Sequence, residues 1–64
     1  MINNLRKIRE EKKMTQKELC DKCGISTIQD FFRVESKNQA PRVDKALRIA
    51  KALGVSVNDI WKLN

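Results

Sequence analysis

The chain has 64 residues, which predicts a single small domain. Its 14 Lys and Arg against 8 Asp and Glu leave a net charge of +6, which suits either a polyanionic partner or simply a soluble, lysine-rich surface. There is no His, no Gly-rich phosphate loop and no carboxylate cluster on which to build an enzyme; no apolar run nears the ~18 residues of a membrane span, and no signal-peptide stretch follows the basic N-terminus.

Helical periodicity runs from end to end. A first helix is predicted over about Asn3–Lys12, with Ile2, Leu5 and Ile8 on one face and Arg6, Lys7, Glu10 and Glu11 mostly outside. Thr15 is a good N-cap, and Glu18 three residues on completes a capping box, so a second helix spans Gln16 to Cys23. Leu19, Cys20 and Cys23 form its apolar side, and Gly24 can adopt the left-handed conformation that ends it. Ile25 plugs the corner. Ser26 is then predicted to cap a third helix, about Thr27–Glu35, with Gln29 as its box partner. So short a helix, closed by so abrupt a turn and restarted at once, points to a helix-turn-helix, in which the first helix braces the second.

After the polar loop Ser36–Ala40, Pro41 is placed at or just before a fourth helix carrying Val43, Ala46, Leu47, Ala50 and Leu53, which Gly54 stops. Ser56 caps a last short helix, with Asp59 three residues on and Ile60, Trp61 and Leu63 apolar. Strand-like alternation is confined to Val55–Val57, too short to count. The prediction is an all-α, compact five-helix domain.

Cys20 and Cys23 form a C-x-x-C. Zinc needs four ligands, and the chain offers no other Cys and no His. A redox dithiol is expected at a strand-helix junction, not at a helix end leading into Gly. Both are read as small core side chains in a reducing cytoplasm, with no metal and no cofactor.

The stretches Leu5-x-x-Ile8-Arg9, Met14-Thr15-Gln16-x-Glu18-Leu19, Gly24-Ile25-Ser26, Val34-Glu35, Pro41 and Ala46-Leu47-x-Ile49-Ala50-x-Ala52-Leu53-Gly54-Val55-Ser56 cover nearly the whole chain. In order and near-spacing they resemble the helix-turn-helix family of phage repressors and Cro proteins with their bacterial relatives. One departure stands out. Gly24 to Glu35 is one position longer than the family's usual spacing, so an extra residue lies in the turn or at the start of helix 3. The resemblance implies a lambda-repressor-like fold with the helix-turn-helix on helices 2 and 3. It further implies a sequence-specific regulator of transcription that binds double-stranded DNA, most often a repressor acting by operator occupancy. The alternative is an antitoxin or other interaction module whose main partner is a protein. Neither a small-molecule ligand nor a membrane partner is expected, and the location would be cytoplasmic, on the nucleoid.

A helical wheel at about 100° per residue identifies a reading face. With Phe31 at zero, Ile28, Val34 and Glu35 fall within about 60°, and Gln29 and Arg33 lie near the opposite side, stacked four apart. Gln suits the N6/N7 edge of adenine and Arg the O6/N7 edge of guanine. Ser26, Phe32 and Ser36 edge this face, and Thr27 and Ile28 reach bases if the extra residue lengthens the turn. Phe32 is expected to pack in the core, the alternative being to cover a thymine methyl. Gln16 begins helix 2, where free backbone N–H groups favour an anion, and Lys17 is beside it. By resemblance, Gln16 contacts the DNA backbone or braces reading residues, and Lys37, Asn38 and Gln39 meet the sugar-phosphate backbone.

The resemblance also pairs Arg9 on helix 1 with Glu35 at the end of helix 3, partly buried against each other. Finally, relatives dimerise through the last helix and nearby loops. Trp61 and Leu63 lie about 100° and 300° round that helix from the core residue Ile60, so one of them is expected near the two-fold axis of a weak homodimer on an inverted-repeat operator. The alternative folds Trp61 back onto the domain.

Overall fold

The computed structural model describes residues 1–63, leaving only Asn64 of the apolar C-terminal segment outside. In chain order the elements are β1 (Ile2–Asn3), α1 (Leu5–Glu11), α2 (Gln16–Cys23), α3 (Ile28–Ser36), α4 (Val43–Leu53), α5 (Val57–Ile60) and β2 (Trp61–Lys62). The five-helix, mostly helical class stands. A short antiparallel ribbon joins the two termini, with Ile2 opposite Lys62 and Asn3 opposite Trp61.

Each helix contributes one large side chain with no exposed surface: Leu5, Leu19, Phe31, Ile49 and Ile60. Cys20, Cys23, Val34, Ala46, Ala50, Leu53 and Trp61 complete the core. Such a core holds the helices together by removing apolar area from water, each large side chain contributing about 1.5–3 kcal/mol.

Helix ends follow local chemistry. Thr15 Oγ1 accepts from the Glu18 N–H at 3.1 Å, and Glu18 Oε1 accepts from the Thr15 N–H at 2.9 Å. These bonds to Thr15 lower the Glu18 pKa. Ser56 and Asp59 repeat the arrangement before α5. Helices α2 and α4 end alike, on left-handed Gly24 (φ 72°) and Gly54 (φ 70°). In both, the glycine N–H and the next N–H turn back to carbonyls of the last turn: Gly24 to Asp21 and Ile25 to Cys20, Gly54 to Lys51 and Val55 to Ala50. That is the Schellman arrangement, which a Cβ at a left-handed φ would strain.

Four expectations are corrected. Helix α1 starts at Leu5, not Asn3, because Asn3 Oδ1 takes the Leu5 N–H at 2.9 Å and Asn3 itself is extended in β1. Ile2 is consequently exposed. The cap of α3 is Thr27, whose Oγ1 accepts from the Asp30 N–H at 3.1 Å, and not Ser26 paired with Gln29. The turn after Gly24 therefore runs through Ser26 before α3 begins. On α4, Val43 and Leu47 are exposed, since the buried stripe runs Ala46, Ile49, Ala50, Leu53 and they sit off its edge. Last, the C-terminal helix stops at Ile60. Trp61 turns into β2 and is only 4% exposed.

Candidate nucleic-acid interface

The sequence of α3 fixes which way it faces. Phe31 and Val34 are buried and Ile28 packs against the core, which turns Gln29 and Arg33 to solvent. Ser26 and Thr27 are exposed at its leading end, and Ser36 at its trailing end. Phe32 does not pack in the core as expected. It is 45% exposed, on a shallow surface cleft shared with Arg6, Gln16, Glu35 and Ser36. Its wheel position beside Phe31 is compatible with either environment; the core is already filled by Phe31 and Val34.

The trailing end of α3 is held from within. Arg9 Nε lies 3.0 Å from Glu35 Oε1, with the two side chains 10% and 5% exposed. Arg9 Nη1 also donates to the Met14 carbonyl at 2.7 Å, fixing the entry to α2. The second Glu35 oxygen accepts from Gln16 Nε2 at 2.5 Å. One carboxylate thus ties α3 to α1 and to the first residue of α2. Gln16 has committed one amide proton to this brace, so only its other proton could meet a phosphate.

The leading end is held at the surface. Lys45 Nζ on α4 lies 2.7 Å from Asp30 Oδ2, and the bond lowers the Asp30 pKa. Asp30 therefore points at α4 and away from the reading face. The turn before it is fixed by Cys20, whose thiol lies 3.4 Å from the Ile25 carbonyl and 3.7 Å from that of Thr27. Both cysteines are free and buried. Burial pushes the Cys23 thiol up to about 11 and raises Cys20 as well. Such thiols are poor nucleophiles and poor metal ligands.

A cleft opens between α3, the loop after it and the start of α4. Arg33, Lys37, Arg42 and Lys45 line it, against the single carboxylate of Asp30. Gln39 joins this wall, and Lys37, Asn38 and Gln39 are all exposed. Lys17 is exposed as well, 3.7 Å from Asp21 one turn along α2. Arg42 and Lys45 were not foreseen as part of this surface. Their cationic spacing after Pro41 was the available signal. Of the two C-terminal residues expected at a dimer axis, Trp61 is inside the fold, so its part in that expectation is corrected, while Leu63 is 85% exposed.

A bracing helix, a glycine-closed turn and a second helix with a polar outer face define a helix-turn-helix DNA-binding domain. The family model described as helix-turn-helix, of the Cro/C1 type, matches residues 5–60, and the chain belongs to that family of DNA-binding regulators. No curated protein matches the chain. Among the described residues, no helix is long and apolar enough to cross a membrane.

Proposed function

We propose that this single domain is a sequence-specific transcriptional regulator that represses by occupying its operator in double-stranded DNA. The observation that carries the reading is the outward pair Gln29 and Arg33 on a helix whose other face is packed into the core. Arg33 grips a guanine and Gln29 an adenine in the major groove. Thr27 and Ser26 contact bases at the leading end of α3, and exposed Phe32 covers a thymine methyl. Lys37, Asn38, Gln39 and Lys17, with the free proton of Gln16, hold phosphates and set the register. The net charge of +6 strengthens attraction to any DNA.

One recognition helix offers few base contacts. Two copies on an inverted repeat, with half-sites about 10 bp apart, multiply them. Leu63 is the apolar residue left to lie near the two-fold axis of a weak homodimer. The chain works in the cytoplasm, on the nucleoid.

Selection from random duplexes tests the reading. It predicts enrichment of an inverted repeat, bound two protomers per site, with affinity falling steeply as salt rises. Failure to enrich any sequence would refute specific regulation. Equal affinity for a single half-site and the full repeat would refute the dimer.

A further inference from the structure

We propose that Asn3 is a positioning residue for DNA binding: its carboxamide caps the trailing end of α3 and ties it to the terminal ribbon and to the start of α1. The inference rests on the reading of α3 as the recognition helix.

The last carbonyls of any helix lack partners within it. Helices α2 and α4 satisfy theirs through Gly24 and Gly54. Helix α3 has no such glycine. Lys37, which ends it, is extended at φ −88° and ψ 144°, and its N–H reaches only the Arg33 carbonyl. The missing donor comes from the other end of the sequence. Asn3 Nδ2 lies 2.6 Å from the Lys37 carbonyl, 3.0 Å from that of Val34 and 3.3 Å from that of Glu35. Its two protons are shared among the three oxygens. On its other side, Asn3 Oδ1 accepts the Leu5 N–H at 2.9 Å.

The backbone of Asn3 is itself held in the ribbon opposite Trp61, and the next residue, Asn4, donates its N–H to the Ile60 carbonyl at 2.7 Å. One side chain therefore holds the first N–H of α1 and the last carbonyls of α3. A short amide with both a donor and an acceptor suits this; an aspartate offers only acceptors when ionised.

The consequence falls on the interface. The Lys37 carbonyl sets the direction in which the chain leaves α3, and with it the position of Lys37, Asn38 and Gln39. Arg33 sits on the last turn that the same amide keeps from fraying. A reading helix held in its bound shape binds without a further ordering cost. In this way the terminal ribbon, built from both chain ends, is mechanically coupled to the surface that faces DNA.

Asn3→Asp and Asn3→Ala separate the two arms. The aspartate keeps an acceptor for Leu5 but sets a carboxylate against three carbonyl oxygens. In Asn3→Asp, amide hydrogen exchange should speed up at Lys37 and stay unchanged at Leu5. In Asn3→Ala it should speed up at both. Affinity for the selected site should fall about tenfold in Asn3→Ala, a neutral change. Affinity for random DNA should fall less, and the salt dependence should flatten as Lys37 loses its fixed place.

A general loss of folded protein would instead scale both affinities equally and leave the slope alone, which would overturn the inference. So would unchanged Lys37 exchange in Asn3→Asp, a readout that needs no DNA and stands if Asn3→Ala does not fold. Wild-type discrimination by folded Asn3→Ala would overturn it too, while leaving the regulator reading intact. Wild-type protein that prefers no sequence would instead overturn that reading, and the role of Asn3 in it.

Discussion

The two ends of α3 are fixed by different physics. At the leading end, Asp30 and Lys45 meet with side chains 35% and 30% exposed, beside the Thr27 cap. At the trailing end, Glu35 is almost buried between Arg9 and Gln16. Water and salt screen the first pair, so it contributes modestly and responds to conditions. The second pair has been taken out of water, which offsets much of its attraction. Its main effect is to impose one orientation of α3 on α1 and α2, and removing one partner strands a charge. Helix α3 is therefore pinned firmly at its trailing end and adjusted lightly at its leading end.

The largest expected effect follows from that contrast. Glu35→Ala should destabilise the domain by about 3–5 kcal/mol in denaturant unfolding, because Arg9 is left buried without its carboxylate. Replacing both partners with apolar side chains should recover much of the loss. A Glu35→Ala effect no larger than that of an exposed pair would erase the distinction between the two ends.

The cap at the leading end comes next. Thr27→Ala should lose about 1 kcal/mol, within a range of roughly 0.5–2, whereas Ser26→Ala should be close to neutral in stability. The reverse order would return the cap to Ser26.

The smallest effect is sensitive to pH. Lys45 holds the Asp30 carboxyl below the ordinary aspartate value near 4. Because the folded-state pKa is lowered, the contribution is complete at neutral pH and is lost as the pH falls through that lowered value. Wild type and Asp30→Asn should thus differ in melting temperature near pH 7 and converge in acid. High salt should narrow the gap at neutral pH. A gap that persists in acid would assign the effect to packing instead of charge.

Much of the fold was legible because its signals are local. Thr15 with Glu18, Gly24, Gly54 and Ser56 with Asp59 each mark a helix end within three or four residues. The inner face of α3 followed from periodicity alone, and the Arg9–Glu35 pair from family resemblance. The errors arose where several local solutions are near-equal or where partners are distant in sequence. Ser26 and Thr27 are adjacent hydroxyls, each with a suitable residue three positions on, so tertiary packing chose between them. Phe32, Val43 and Leu47 are apolar residues beside a buried stripe, and which of them is covered depends on how much room the core has. The ribbon joins residues from opposite ends of the chain through two-residue strands with no periodicity to detect. The Asn3 amide is invisible for the same reason, since its acceptors lie 31 to 34 positions away.

In the proposed function, pinned α3 presents Arg33 and Gln29 to base edges. The most direct test compares the sequences selected from random DNA by wild type and by Arg33→Ala. Arg33→Ala should lose the preference for guanine at one position in each half-site, incur a penalty of about 1–3 kcal/mol on the wild-type site, and keep its preference elsewhere. An unchanged set of selected sequences in a folded Arg33→Ala would contradict this expectation and move the reading face off this side of α3.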